Sequence, residues 1–369
     1  MSRIDDLIRQ HAPDGVEYKT LGEVARIKTG PNVNKKVISD RPGPFPVINS
    51  GREPLGFIDD YNTEDDPIGV ASRGSVGLVT WTSGRYFRGN LNYSCSPTDP
   101  AALDSRFLYH CLLFFDAEIQ RLATHQGIPA LNAGNLKKLR VPVPHLEVQR
   151  EIVRILDAFT ELEAELEAEL EARRQQNAHY RAQLLTFAGD IVRMPLGQIA
   201  TIGTGSHDTQ DAVPEGEHVF YARGRDPLRL DLFDFNERAI ITAGDGVGVG
   251  KVFHFADGKY ALHQRAYRIV PNAGVDARYL YHYFLTDFAR YLARTSVHAS
   301  VTSLRRPMFL KYPVPIPSLE VQKRIAEVLD RFDVLVNDLS SGLPAEIQAR
   351  RMQYAHYRDR LLTFEEAAA

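Results

Sequence analysis

Cysteine is nearly missing from this chain of 369 residues: Cys95 and Cys111 are the only two. Two thiols make neither a disulfide framework nor a four-ligand metal cluster, so a reducing cytoplasm is the expected compartment. Long apolar runs are missing as well. Nothing approaches the ~18 residues of a membrane span, and Met1-Ser-Arg-Ile-Asp-Asp6 does not read as a signal peptide. Net charge is small, at -3, which by itself speaks weakly against a nucleic-acid partner. The charge is uneven, however. Acid gathers in residues 146–190 and 319–369, while 1–145 and 191–318 are mildly basic.

Catalytic signatures are also missing. Gly244-Asp-Gly-Val-Gly-Val-Gly-Lys251 looks phosphate-binding but lacks the glycine six before Lys251 and has Val252 where a P-loop needs Ser or Thr. It corresponds to Ser72-Arg-Gly-Ser-Val-Gly77, so both are expected to be glycine-bulged strands. Asp245 with Asp257-Gly-Lys259 faintly suggests a nuclease pattern. Asp257-Gly258 between Phe253–Phe255 and Tyr260–Leu262 reads better as a hairpin turn, and the other copy has Ser83-Gly-Arg85 there, without an acid. No nucleophile elbow, metal-ligand cluster or methyltransferase motif is present. The sequence therefore predicts no catalytic residue, no metal and no cofactor in this chain.

What the sequence has is a repeat. Val141-Pro-Val-Pro-His-Leu-Glu-Val-Gln-Arg150 returns as Val314-Pro-Ile-Pro-Ser-Leu-Glu-Val-Gln-Lys323, an offset of 173. Leu156-Asp157 and Phe159 match Leu329-Asp330 and Phe332. Arg173-Arg174, His179-Tyr-Arg181 and Leu184-Leu-Thr-Phe187 match Arg350-Arg351, His356-Tyr-Arg358 and Leu361-Leu-Thr-Phe364, now at an offset of 177. The four extra residues fall near Ser340-Ser-Gly-Leu-Pro344. Upstream, Leu21-Gly-Glu-Val-Ala-Arg-Ile-Lys-Thr-Gly30 returns as Leu196-Gly-Gln-Ile-Ala-Thr-Ile-Gly-Thr-Gly205, and Phe107-Leu-Tyr-His110 as Tyr279-Leu-Tyr-His282. The chain is two copies of one unit.

Within each copy, short strands (Phe45–Ile48, Ile68–Ala71, Gly77–Trp81 and Tyr86–Phe87 in the first) precede helical runs at 107–122 and 279–292, which predicts an α+β domain. After Pro144, Ile152, Phe159, Leu166, Tyr180 and Phe187 keep one seven-residue register, and Glu161-Leu-Glu-Ala repeats as Glu165-Leu-Glu-Ala and Glu169-Leu-Glu-Ala. The spacing predicts a helix over 146–187, ~63 Å long at ~1.5 Å per residue. Its partner is the second copy, antiparallel, with Pro344 as a break or kink. The expected organisation is a recognition domain over 1–145, a helix over 146–190, a second domain over 191–318 and a second helix over 319–369.

The mildly basic domains carry side chains able to bond base edges or phosphates. In the first these are Lys35, Lys36, Arg52, Arg73, Arg85, Arg88, Asn90, Asn92, His125 and Gln126. In the second they are His207, Arg223, Arg225, Arg229, Lys251, His263, Gln264, Arg265, His298, Arg305 and Arg306. Approximate alignment sets Arg73, Asn90 and Asn92 against Gly246, His263 and Arg265, so the two readouts should differ. His179, Tyr180, Arg181, His356, Tyr357 and Arg358, beside the apolar stripe, are expected to face a partner or the facing helix.

The doubled Val-Pro-x-Pro, Leu-Glu-x-Gln and Leu-Asp-x-Phe run with its His-Tyr-Arg and Leu-Leu-Thr-Phe ends resembles the specificity subunit of type I restriction-modification systems over nearly the whole chain. The resemblance implies two target-recognition domains alternating with two long helices packed as an antiparallel coiled coil. Each domain would read half of a bipartite, asymmetric site in double-stranded DNA. Two DNA-methylation subunits, with S-adenosylmethionine and the adenine chemistry, would dock on the helices, and restriction subunits with ATPase and nuclease activity would join. A near alternative is the specificity subunit of a methylation-only or phage-defence system. A self-contained modifying enzyme and a coiled-coil scaffold without DNA contact are the competing classes.

Overall fold

The computed structural model describes residues 3–124, 127–187, 189, 191–295, 305–338 and 340–367. The chain divides into two compact units: Met1–Leu166 with Ile347–Ala369, and Glu167–Glu346. Among the described residues no helix is long and apolar enough to cross a membrane.

In the first unit Tyr18–Thr20 pairs antiparallel with Arg140–Pro142, placing the Pro-alternating strand beside the start of the chain. The domain's remaining strands form small sheets. Pro42–Ile48 lies between Phe57–Ile58 and Phe87–Arg88, and Ile68–Ala71 lies between Val79–Trp81 and Asn92–Ser94. The helical run expected over 107–122 is two helices, Ser105–Phe114 and Asp116–Leu122. Asp104 starts the first, accepting from the backbone N–H groups of Arg106 and Phe107.

The long helix is continuous from Leu146 to Leu184. Its first part belongs to the core of the first unit, where Val148, Ile152 and Leu156 pack with Phe107, Leu108 and Leu112. Leu361 and Leu362 close the same core from the last helix, Leu343–Leu362. Phe159 stacks on Tyr357 at 5.3 Å and meets Tyr354 edge-on, and Glu163 pairs with Arg351 at 2.6 Å. As one helix rises from 156 to 163 the other falls from 361 to 351, so the pair is antiparallel.

In the second unit Arg193–Pro195 pairs with Pro313–Pro315, the counterpart of the first unit's Pro-strand pair. One six-stranded sheet follows the order Ala200–Thr204, Ala266–Pro271, Phe235–Ala243, Phe253–Leu262, His218–Tyr221, Leu228–Leu230. Only His218–Tyr221 runs parallel to its neighbour Phe253–Leu262. The expected hairpin at Asp257-Gly258 is not there: Phe253–Leu262 is one strand, Gly258 stands within it at φ 104°, and its pairing with Phe235–Ala243 runs through without a register shift. A glycine can serve a turn or the interior of a strand, and the sequence does not distinguish the two uses. Gly244–Gly250, expected as a bulged strand, is a loop around a short turn at Gly246–Gly248. The helical run after Asp276 is Ala277–Tyr283, a π-helical stretch Phe284–Phe288, then Ala289–Thr295.

Here too the helices pair antiparallel. Tyr180 stacks on Phe332 at 5.5 Å, Arg181 bonds Asp333 at 2.7 Å, and Leu185 joins Ile325 and Leu329 in the core. The second long helix is broken into Leu319–Asn337 and Leu343–Leu362. Pro344 lies in the first turn of the latter, where its missing N–H costs nothing. The break itself falls one turn earlier, where Asp338 accepts from the Ser340 N–H at 2.7 Å and Gly342 donates to the Asp338 carbonyl. The four inserted residues therefore leave the helix instead of adding a turn to it.

Candidate nucleic-acid interface

The repeated helix motif is explained by how each domain is held. Gln149 is fully buried at the start of the long helix. Its Oε1 accepts from the Asp104 N–H at 2.8 Å, and its Nε2 donates to the carbonyls of Ala102 (2.8 Å) and Pro144 (2.7 Å). Two turns on, Asp157 accepts from Arg106 Nε at 2.9 Å and His110 Nε2 at 2.8 Å. Arg106 also lies over Trp81 and Tyr109, at 4.6 and 4.9 Å.

The second unit repeats each contact. Gln322 accepts from the Asp276 N–H at 2.8 Å and donates to Gly274 and Pro317. Asp330 accepts from Arg278 Nε at 2.9 Å and His282 Nε2 at 2.7 Å, and Arg278 lies over Phe255 and Tyr281. Burial pushes His110 and His282 below the usual imidazole range, so each stays neutral with its Nε2–H on the aspartate. Burial would raise Asp330, but the hydrogen bonds from Arg278 and His282 outweigh it and hold the carboxyl below its ordinary value. These joint residues were not among the expected site residues. Gln149, Asp157 and His110 did recur in the sequence, but recurrence alone did not reveal what they touch.

His282 Nδ1 accepts from Arg181 Nη1 at 3.1 Å, while His110 Nδ1 has no hydrogen-bond partner among the described residues. Arg358, the counterpart of Arg181, turns instead to Asp359 and lies over Phe114. Tyr180, Arg181 and Tyr357 thus meet the facing helix, with His179 and His356 exposed and edge-on to their tyrosine neighbours.

The base- and phosphate-bonding candidates fall into three groups. Lys35, Lys36, Arg52, Arg73, Arg225 and Lys251 are exposed, as are Arg229, Arg305 and Arg306, and Asn90 is half-buried. Lys35 and Lys36 open a helix capped by Asn34, and Arg52 stands at a cavity of about 590 Å³ beside Trp81, Tyr109 and Arg358. Arg85 is exposed but engaged, pairing with Glu64 at 2.7 Å over the ring of Tyr61.

Arg88 and Asn92 are corrections. Both are buried, Arg88 donating to the carbonyls of Ile68 and Asp66 and to Asn92 Oδ1. An arginine whose two Nη groups are bonded inside a core does not present its fork to a base, and nothing in the local sequence separates it from a surface arginine. His125, Gln126 and His298 lie outside the described residues.

The second unit gathers its candidates. The turn carrying His263, Gln264 and Arg265 bonds two other segments, His263 N–H to the Tyr221 carbonyl and Gly244 N–H to the Arg265 carbonyl. Arg223 Nη1 and Arg265 Nη1 then meet the two oxygens of Asp245, at 2.9 and 3.2 Å. Gln264 Nε2 donates to Asp208 at 2.8 Å, and His207 Nε2 bonds Asp234 at 3.0 Å. His263 is buried, its Nδ1 accepting from the Arg265 N–H, so it shapes the turn and is not itself at the surface. A cleft of about 390 Å³ lies along Arg223, Asp245 and Gly246–Gly248. Asp245 meets two arginines, and Asp257 pairs with Arg238 at 3.1 Å.

His11, His145 and Glu147 present donor atoms within 4.8 Å of one another. The two imidazoles stack at 4.0 Å and 2°. Parallel rings do not converge their in-plane lone pairs on one ion, so the group is accounted for as a contact holding the helix Arg3–His11 to the start of the long helix.

Each of the two domains is held to an antiparallel helix pair by the same joint, and each exposes a different set of cations and amides. The type I restriction modification DNA specificity domain matches residues 13–172 and again 189–349, and the chain belongs to that family. It is 30% identical over 259 residues to the specificity subunit of the type I restriction enzyme EcoR124I/EcoR124II of Escherichia coli, covering 62% of this chain and 63% of that one. With S.HindORF215P of Haemophilus influenzae, named for a type I restriction enzyme specificity subunit, identity is 28% over 386 residues, 95% of this chain and 96% of the relative. The fold is shared with the crystal structure of an S subunit from M. genitalium, at a TM-score of 0.69 and 19% identity over 94% of this chain and 96% of that one.

Proposed function

We propose that this chain is the non-catalytic, sequence-reading subunit of a type I restriction-modification assembly. Each recognition domain reads one half of a bipartite, asymmetric target in double-stranded DNA. Two methylation subunits dock along the helices and supply S-adenosylmethionine and the adenine chemistry. Restriction subunits bring ATP hydrolysis and cleavage, and the assembly works in the cytoplasm. The observation that carries this reading is the repetition of the joint without repetition of the exposed surface. Gln149 with Asp157 and Gln322 with Asp330 hold the two domains alike, as suits two copies of one partner. The surfaces so held differ, as suits two unlike half-sites. The test is to map methylated adenines in cells expressing this chain with its methylation subunit. One motif with two unlike halves and a fixed unread spacer is expected, and a single uninterrupted motif would overturn the reading.

A further inference from the structure

Resting on that reading, we propose that Arg223 and Arg265, braced by the one carboxylate of Asp245, are the guanine-reading pair of the second recognition domain. The three residues come from different turns: after strand His218–Tyr221, after strand Phe235–Ala243, and between strands Phe253–Leu262 and Ala266–Pro271. Asp245 gives one oxygen to each arginine, at 2.9 and 3.2 Å, and itself keeps only 26% of its side-chain exposure. Arg223 and Arg265 remain 39% and 60% exposed.

An exposed ion pair stabilises a fold very little, because fixing long side chains offsets most of its attraction. What the brace does provide is orientation. Each guanidinium has five N–H donors in a rigid fork, and anchoring one Nη leaves the fork in a set plane before any ligand arrives, which lowers the cost of ordering it on binding.

The ligand chemistry follows from the carboxylate. The carboxylate of Asp245 cancels one of the two arginine charges and so weakens the site's pull on a phosphate, a penalty that an uncharged ligand does not meet. A guanine edge is uncharged, presents O6 and N7 side by side, and takes an arginine fork bidentately. Arg225 and Lys251, exposed in the same two loops as Arg223 and Asp245, suit the backbone instead. Beside the pair, Val247 is 96% exposed at the loop tip, with Gly246 and Gly250 at φ 78° and 69° setting the loop's path. An aliphatic group so presented beside a base-reading fork fits a thymine methyl.

Among the described residues the device occurs in the second domain and not in the first. Gly74 shares the left-handed φ of Gly246, and Ser72 N–H donates to the Leu91 carbonyl as Gly244 N–H does to Arg265. Those contacts align Arg73 with Asp245 and Leu91 with Arg265, one position from the alignment expected on sequence. The first domain therefore has neither the brace nor its second arginine.

The experiment maps adenine methylation in cells carrying the methylation subunit with the wild-type chain, Arg223→Ala, Arg265→Ala, Arg265→Lys or Asp245→Asn. Each arginine variant is expected to lose preference for guanine at one position of one half-site by about ten- to a hundred-fold, leaving the other half unchanged. Arg265→Lys, which keeps the charge and should spare the fold, is expected to relax the same position as Arg265→Ala. Asp245→Asn should weaken both positions together. Lower methylation at an unchanged motif in the Ala and Lys variants would make these phosphate contacts and overturn the proposal. A wild-type chain that directs no bipartite motif would instead overturn the reading on which the proposal rests.

Discussion

Gln149 and Gln322, 173 residues apart, make the same three hydrogen bonds: each caps the helix-starting aspartate N–H of its own domain and closes two carbonyls of the flanking turns. A fully buried side-chain amide with every bond made to backbone fixes both the position and the angle at which a domain leaves its helix. Replacing either with Leu removes the partner of one N–H and two carbonyls, at about 1–3 kcal/mol for each of them that water does not reach. Gln149→Leu and Gln322→Leu are each expected to lower the denaturant midpoint of the domain they hold, and unchanged urea unfolding would show the joint to be incidental.

The joint also predicts a response to acid. His110 and His282 are buried neutral, with folded values below 6.5, so the unfolded chain takes up protons first as the pH falls. Stability is complete above the ordinary imidazole value and declines as the pH drops below it toward the lowered folded values. Asp330 acts further down: its depressed carboxyl contributes above about 3.8, and that contribution is lost as pH falls through the folded value. His110→Gln and His282→Gln, which retain a donor for the aspartate, are expected to flatten the slope of stability between pH 7 and about 5.5. A slope identical to that of the wild-type chain would refute the assignment.

The isolated chain should bind DNA weakly and with only a shallow dependence on salt. Its net charge is -3, and several of its exposed arginines already face carboxylates: Arg85 with Glu64, Arg223 and Arg265 with Asp245. Few phosphates can then be neutralised, so a shallow dependence of log K on log salt is expected by fluorescence anisotropy. Tight binding by the chain alone at physiological salt would contradict this.

Much of the fold was legible because a repeat states its contacts twice. The two copies, the domain-and-helix alternation and the antiparallel pairing all followed from Leu156, Phe159 and Tyr180 recurring in register. The reading surface was less legible, for a physical reason. Arg88 and Arg73 are alike in sequence, yet one closes a core network and the other stands in a turn. Gly258 likewise carries the signal of a hairpin but stands inside one continuous strand. Such outcomes depend on which distant strand passes beside a residue, and local pattern does not encode that.

The helix Leu146–Leu184 invites a length test. Removing Glu165–Ala168 shortens it by about 6 Å and turns its ends by about 40°, close to the rotation of one base pair and nearer two in rise. Leu162 and Leu170 close up at the old spacing, and the facing helices end at Asn337 and resume at Leu343. The variant is expected to keep both half-sites with an unread spacer shorter by one base pair, or by two. Methylating a library of randomised spacer lengths measures it, and modification at the parental spacing alone would show the tetrapeptides to be filler.

The most direct measurement exchanges residues 21–140 for the corresponding stretch of another specificity subunit and maps the methylated sequence. Gln149 and Asp157 stay with the helix in this exchange, and the incoming domain must bring its own counterparts of Arg106 and His110. The account predicts a hybrid target, one half replaced and the other half and spacer intact. A map in which both halves change would contradict it.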